Sequence, residues 1–286
     1  MKSRKNMFLL GVLIILFSAN FTLASNVEKV KSKDGVNIVY TVQGDGAPTI
    51  VFVHGWNLDK SIWNNQVKVF SPKYKVVTID LAGHGESGMN RKNYSMELFG
   101  QDVADVVNKL KLEKVILVGH SMGGSVILEA ARILKEKVIG LIGADTFQKF
   151  EKGEPAKRAE EYLTTFKTNF VGSTKDYASM LFPPNADTSL VNKILKKMTS
   201  ANSKIAIDVM RNSYQYNAIA AVKELRIPII SINCEMFPVK LEENRKYIKS
   251  FEVKIMKGVG HFVMLEDPAK FNQLLQEAIN ELSEKK

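Results

Sequence analysis

The feature that most constrains this chain is an alternation of short apolar runs of strand type with amphipathic stretches of helical period. The runs are "PTIVFVHG" at 48–55, "YKVVTIDLAG" at 74–83, "KVILVGH" at 114–120, "KVIGLIGAD" at 137–145, "IPIISIN" at 227–233 and "FEVKIMKG" at 251–258. Most are apolar without a polar alternation, which is the pattern of strands buried on both faces, and strands of that kind need helical crossovers between them. Before them, "NVEKVKS" and "VNIVYTVQG" flank Asp34-Gly35 and read as a hairpin. The spacing therefore predicts an α/β fold: a doubly wound, mostly parallel eight-stranded sheet with helices on both faces. Helices are expected over Ser61–Phe70, Ser95–Leu110, Met122–Leu134, the segment "KLEENRKYIKS" and Pro268 to about Leu282.

The alternation breaks between Thr146 and Asn217, where helical text rich in Phe166, Phe170, Tyr177 and Phe182 replaces strands. So many aromatic groups need something to cover them, which suggests a helical cap inserted into the core, part of it facing a substrate cleft. The expected organisation is a core of residues 25–145 and 218–286 with a cap over 146–217. Residues 1–24 join a basic start (Lys2, Arg4, Lys5), the apolar run "MFLLGVLIILF" and the small-residue tail "SANFTLA". This is the pattern of a signal peptide, cut after Ala24, and predicts an exported, periplasmic or secreted protein. An uncleaved N-terminal anchor is the competing reading, and no later run is long enough to span a membrane. The net charge of +10 comes from lysines dispersed among acids, which describes a solvated surface rather than a nucleic-acid footprint. A single cysteine, Cys234, excludes an intramolecular disulfide and any multi-cysteine metal site.

Chemistry concentrates at Gly119-His120-Ser121-Met122-Gly123-Gly124, where a strand turns into a helix. A turn this tight pushes the serine into strained backbone geometry with its hydroxyl presented outward, and the glycines two residues away on either side let strand and helix pass. With this motif the sequence resembles the α/β-hydrolase fold superfamily, in its serine-nucleophile branch. The resemblance extends to "VFVHGWN" at 51–57, "DLAGHGESG" at 80–88 and "GVGHFVMLEDP" at 258–268, and so covers nearly all of the chain after the leader.

The resemblance implies Ser121 as nucleophile, His261 as base, and an oxyanion hole made by the backbone amides of Trp56 and Met122. His54, His84 and His120 are then loop-shaping residues, and Asp80 orders the "GHGES" loop. It implies no cofactor and no metal, and a small-molecule substrate. The acid departs from the family pattern: after "IPIISIN" the usual G-x-x-D would put its aspartate where Phe237 stands. Asp145, at the end of the sixth strand, is the expected acid, because a branch of the superfamily places its acid there and none stands at the usual position; Glu235, just after the seventh strand, is the alternative. The expected activity is hydrolysis of a carboxylic ester or related acyl bond. The alternatives are a non-hydrolytic small-molecule binding protein on the same fold, or a lactonase, carbon-carbon hydrolase or haloperoxidase variant.

Overall fold

The computed structural model describes residues 26–284, so the leader expected over residues 1–24 lies outside the described residues. Eight strands run β1 (Asn26–Lys31), β2 (Asn37–Gln43), β3 (Thr49–Val53), β4 (Val76–Asp80), β5 (Val115–His120), β6 (Val138–Ala144), β7 (Ile229–Cys234) and β8 (Phe251–Met256). They form one sheet in the order β1-β2-β4-β3-β5-β6-β7-β8. The pairs β1/β2 and β2/β4 are antiparallel, and every pair from β3/β4 onward is parallel. Each residue of β3, β4, β5 and β7 is buried, which is why these segments carry no polar alternation.

Among the described residues twelve α-helices accompany the sheet: α1 (Asn64–Phe70), α2 (Met96–Lys109), α3 (Met122–Leu134), α4 (Ala156–Tyr162), α5 (Thr164–Thr168), α6 (Phe170–Ser179), α7 (Thr188–Thr199), α8 (Ser203–Gln215), α9 (Ala218–Glu224), α10 (Leu241–Arg245), α11 (Val263–Glu266) and α12 (Pro268–Glu284). One layer is built on α3, which packs on β3, β5 and β6 and is flanked by α2 and α9. A second is built on α12, which packs on β6, β7 and β8 and is flanked by α1 and α11. Ser95 starts α2 by accepting the Leu98 amide on its hydroxyl, the capping interaction its position suggests. Helices α4 to α8 fill the interval between β6 and α9, where the sequence lacks strand runs. Among the described residues no helix is long and apolar enough to cross a membrane.

Two helical stretches are shorter than their sequences suggest. Residues Lys60–Trp63 form a 3-10 turn leading into α1, because Asp59 caps that turn by accepting the Ser61 amide. In "KLEENRKYIKS" the helix stops at Arg245, since Asn244 is drawn into the interior and Arg245 Nε donates to the Phe251 carbonyl at 3.0 Å.

Because the strands from β3 onward are parallel, the loops that follow β3, β5, β6 and β8 emerge at one edge of the sheet. The layer of α2 and α3 is tied to the N-terminal hairpin by Arg91. Its guanidinium donates to both oxygens of Asp102 at 2.8 and 2.6 Å and to both oxygens of Asp34 at 2.7 and 3.0 Å. That joins the hairpin turn to α2 through side chains of which Arg91 is 2% and Asp102 0% exposed. Removing the cation strands a buried carboxylate, so Arg91→Met is expected to cost about 3–5 kcal/mol, and adding Asp102→Leu should restore most of it. Chemical denaturation measures this; a loss under about 1 kcal/mol for Arg91→Met would contradict the role assigned to the pair.

Candidate active site

Ser121 sits alone between β5 and α3 at φ 53°, ψ −122°, a conformation that few side chains tolerate and that costs about 1–3 kcal/mol. It persists because its surroundings over-determine it. The Ser121 amide donates to the Ala144 carbonyl at 3.1 Å, and the Gly124 amide donates to the Ser121 carbonyl at 2.8 Å. A methyl on Gly119 would lie 2.3 Å from the Gly123 carbonyl oxygen, and one on Gly123 would lie 2.7 Å from the Val53 carbonyl oxygen, so helix and strand cross at backbone contact. The serine side chain makes no capping bond to α3, which leaves its hydroxyl free at a part-exposed position.

His261 lies in the loop between β8 and α11, and its Nδ1–H donates to Asp145 Oδ2 at 2.5 Å. Since an ionised carboxylate only accepts, this bond leaves the imidazole lone pair on Nε2. Asp145 is wholly buried, and its second oxygen accepts the Cys234 amide at 2.9 Å. The residue is itself left-handed at φ 45°, and Phe147 follows at φ 61°. Two buried polar residues of β7 explain how this bend is held: Ser231 Oγ and Asn233 Nδ2 both donate to the Thr146 carbonyl, at 2.7 and 3.0 Å. Glu235, the other candidate acid, does not meet the imidazole; its Oε1 accepts the Gly258 amide at 3.0 Å. Phe237, at the usual acid position, instead sets its ring edge-on to His261 at 6.1 Å.

The remaining sequence-derived residues gather at the same edge. A side chain on Gly55 would fall 3.1 Å from Ser121 Cβ, so the loop bearing Trp56 abuts the serine. Among the described residues neither the Trp56 nor the Met122 amide donates to another group, which leaves both free for a ligand oxygen. The Trp56 ring is fixed from α5, α6 and α8: Nε1–H donates to the Ala206 carbonyl at 2.8 Å, and Phe166 and Tyr177 pack edge-on at 5.8 and 5.6 Å. His54 donates from Nδ1 to the Gly55 carbonyl at 2.8 Å and accepts the Leu81 amide on Nε2 at 3.0 Å, joining the loops after β3 and β4. Asp80 accepts the Lys60 and Glu86 amides at 2.7 and 3.0 Å and so orders the "GHGES" loop. His120 Nε2–H donates to the His261 carbonyl at 3.1 Å, with the two rings 4.7 Å apart, which brings the His261 imidazole beside the neighbour of Ser121.

Sequence reasoning missed two partners of the histidine loop. Leu181, between α6 and α7, accepts the His261 amide on its carbonyl at 2.8 Å, and no side-chain signal could have revealed it. Glu266 accepts the amides on both sides of His261; its acid five positions after the histidine was the available signal.

A family model described as the Alpha/beta hydrolase family matches residues 50–274. The chain belongs to the alpha/beta hydrolase family. Its relatives include a non-heme chloroperoxidase of Streptomyces lividans, 30% identical over 174 residues; that match takes in 53% of this chain and 63%, under two thirds, of the relative. A pimeloyl-acyl-carrier-protein methyl ester esterase of Wigglesworthia glossinidia brevipalpis is 26% identical over 259 residues, covering 83% of this chain and 95% of that one. The solved structure of an esterase from Exiguobacterium antarcticum has a TM-score of 0.79 at 19% identity, over 88% of this hydrolase and 98% of that chain, a likeness of fold.

Three imidazoles of this hydrolase are held neutral. Burial lowers His54 to about 4 and His84 to about 3, and lowers His120 as well, with neighbouring imidazoles adding to the effect for the last two. Unfolded, each takes up a proton near pH 6.5, so their stabilisation is complete above about 6.5 and is lost as pH falls toward about 4. Asp102, which burial raises to about 6, and Glu266, which burial also raises, work the other way, but with two protons against three. The urea midpoint should therefore fall steadily between about pH 7 and pH 4. A flat midpoint over that interval would contradict neutral burial of these side chains.

Proposed function

We propose that this chain is an exported serine hydrolase that cleaves a carboxylic ester or related acyl bond of a small, partly apolar substrate. The observation that carries the reading is the conjunction of a strained, uncapped Ser121 with the buried 2.5 Å His261–Asp145 pair at the same sheet edge. Relatives named as esterases support the bond type. The basic, apolar and small-residue order of residues 1–24 supports export. Aromatic residues that the cap brings against Trp56 support an apolar substrate part.

In this reading Ser121 Oγ attacks the acyl carbon while its proton passes to His261 Nε2. Asp145 holds the Nδ1–H and stabilises the imidazolium that forms. The carbonyl oxygen, now an anion, takes the Met122 and Trp56 amides, which cost no reorganisation because they are fixed in advance. The N-terminus of α3 adds its dipole at the same point. Collapse of the tetrahedral species expels the alcohol, which receives the proton from His261 and leaves Ser121 acylated. A water then attacks with the same imidazole as base, releasing the acid and restoring the serine.

Turnover of short and medium p-nitrophenyl esters tests this directly. Ser121→Ala and His261→Ala should each lower kcat by at least about 10,000-fold, and Asp145→Asn by about 10,000-fold with the fold intact. Glu235→Gln should turn over like the wild type. Loss of activity in the Glu235 variant with Asp145→Asn unaffected would transfer the acid role, and full activity of Ser121→Ala would end the reading.

A further inference from the structure

The loop carrying His261 has little reason to be ordered by itself. Gly258-Val259-Gly260 lead into it, and α11 behind it is four residues long. A general base must nevertheless be held to a fraction of an ångström, since misplacement of about 1 Å can cost about 100-fold in rate. The amides of three successive residues at the imidazole, and the His261 carbonyl, all have partners. The His261 amide goes to Leu181 of the cap at 2.8 Å, and the His261 carbonyl takes His120 Nε2–H at 3.1 Å. The flanking amides go to one side chain: Gly260 N–H donates to Glu266 Oε2 at 2.8 Å, and Phe262 N–H donates to Glu266 Oε1 at 3.0 Å.

Capping α11 would require only the second of these bonds, because Phe262 is the residue at which that helix begins. The first reaches back past His261 to Gly260 and does nothing for the helix. Together the two oxygens span the base, and the Glu266 amide closes the bracket by donating to the Phe262 carbonyl at 2.9 Å. Burial of the glutamate is partial, on a cleft it shares with Pro183, Asp187, Leu190 and Lys193 of the cap.

We infer that Glu266 is a positioning residue for the base, its carboxylate bridging the amides on either side of His261 and so holding the imidazole on Asp145. The inference rests on His261 being the base of the proposed reaction. It assigns Glu266 no contact with substrate. Its effect is on the probability that Nε2 stands where the serine proton leaves, which predicts a change in kcat and none in KM.

Glu266→Gln keeps the shape and removes one acceptor, because the amide nitrogen cannot receive an N–H. Expected is a fall in kcat of about 10- to 100-fold at unchanged KM, with the far-downfield proton resonance of the His261–Asp145 bond shifted or broadened. Glu266→Asp, one methylene shorter, cannot span both amides and should behave alike; it is read if the glutamine variant fails to fold. Glu235→Gln, which removes an acceptor from Gly258 in the same loop, serves as control with wild-type kcat and resonance. A folded Glu266 variant with wild-type kcat and an unchanged resonance overturns the inference, as does a change confined to KM. The resonance requires no turnover, so it separates the two ideas: full activity in His261→Ala defeats the hydrolase reading, whereas an undisturbed resonance in Glu266→Gln defeats the clamp.

Discussion

The hydrogen bond between Asp145 and His261 sets the terms for the rest of the molecule. A carboxylate with no exposure to water is costly unless its oxygens are satisfied, and here one takes the imidazole and the other the Cys234 amide. Those partners come from the end of β7 and the loop after β8, while the acid comes from the end of β6. Only the order β6-β7-β8, in parallel register, brings three such chain ends together. The same edge receives the ends of β3 and β5, so the serine, its neighbour His120 and the Trp56 loop arrive from the other side.

Backbone strain collects along this edge. Asn57, Ser121, Asp145 and Phe147 all have positive φ, at 53°, 53°, 45° and 61°. At Ser121 and at the Asp145–Phe147 bend, where each such residue costs about 1–3 kcal/mol, the surrounding contacts hold the conformation in place. For Ser121 these are the glycine-to-backbone crossings of α3 over β5 and β3. For the Asp145–Phe147 bend they are the polar side chains of Ser231, Asn233 and Asn244, the last donating to the Phe147 carbonyl at 2.7 Å. Buried polar residues inside β7 would otherwise be a liability in a parallel sheet. Their partners show that they serve the bend beside the site.

Much of this was legible in the sequence, for reasons that differ from element to element. The boundaries of α2 and α3 follow from Ser95 and from the glycine-serine-glycine turn, both local signals. The sheet follows from unbroken apolar runs. Which of Asp145 and Glu235 meets the imidazole was only partly legible: the missing acid at Phe237 pointed to Asp145, but the contact depends on how a strand end lies relative to a loop more than 100 residues away. Glu266 escaped notice because its one signal, an acid five positions after His261, is also what a surface residue of a short helix presents. The tie between the segment after α6 and the His261 loop passes through the carbonyl of Leu181, which any residue would supply. Helix α10 was overestimated because Asn244, polar in sequence, turns inward to serve Phe147 and Phe150.

The central claim is that Ser121 is a nucleophile activated by the His261–Asp145 pair. Labelling folded protein with a fluorophosphonate, followed by peptide mass mapping, tests it most directly. A single adduct on Ser121, absent in Ser121→Ala and formed much more slowly in Asp145→Asn, is the predicted result. A folded chain that takes no adduct, or takes it at another residue, would contradict it.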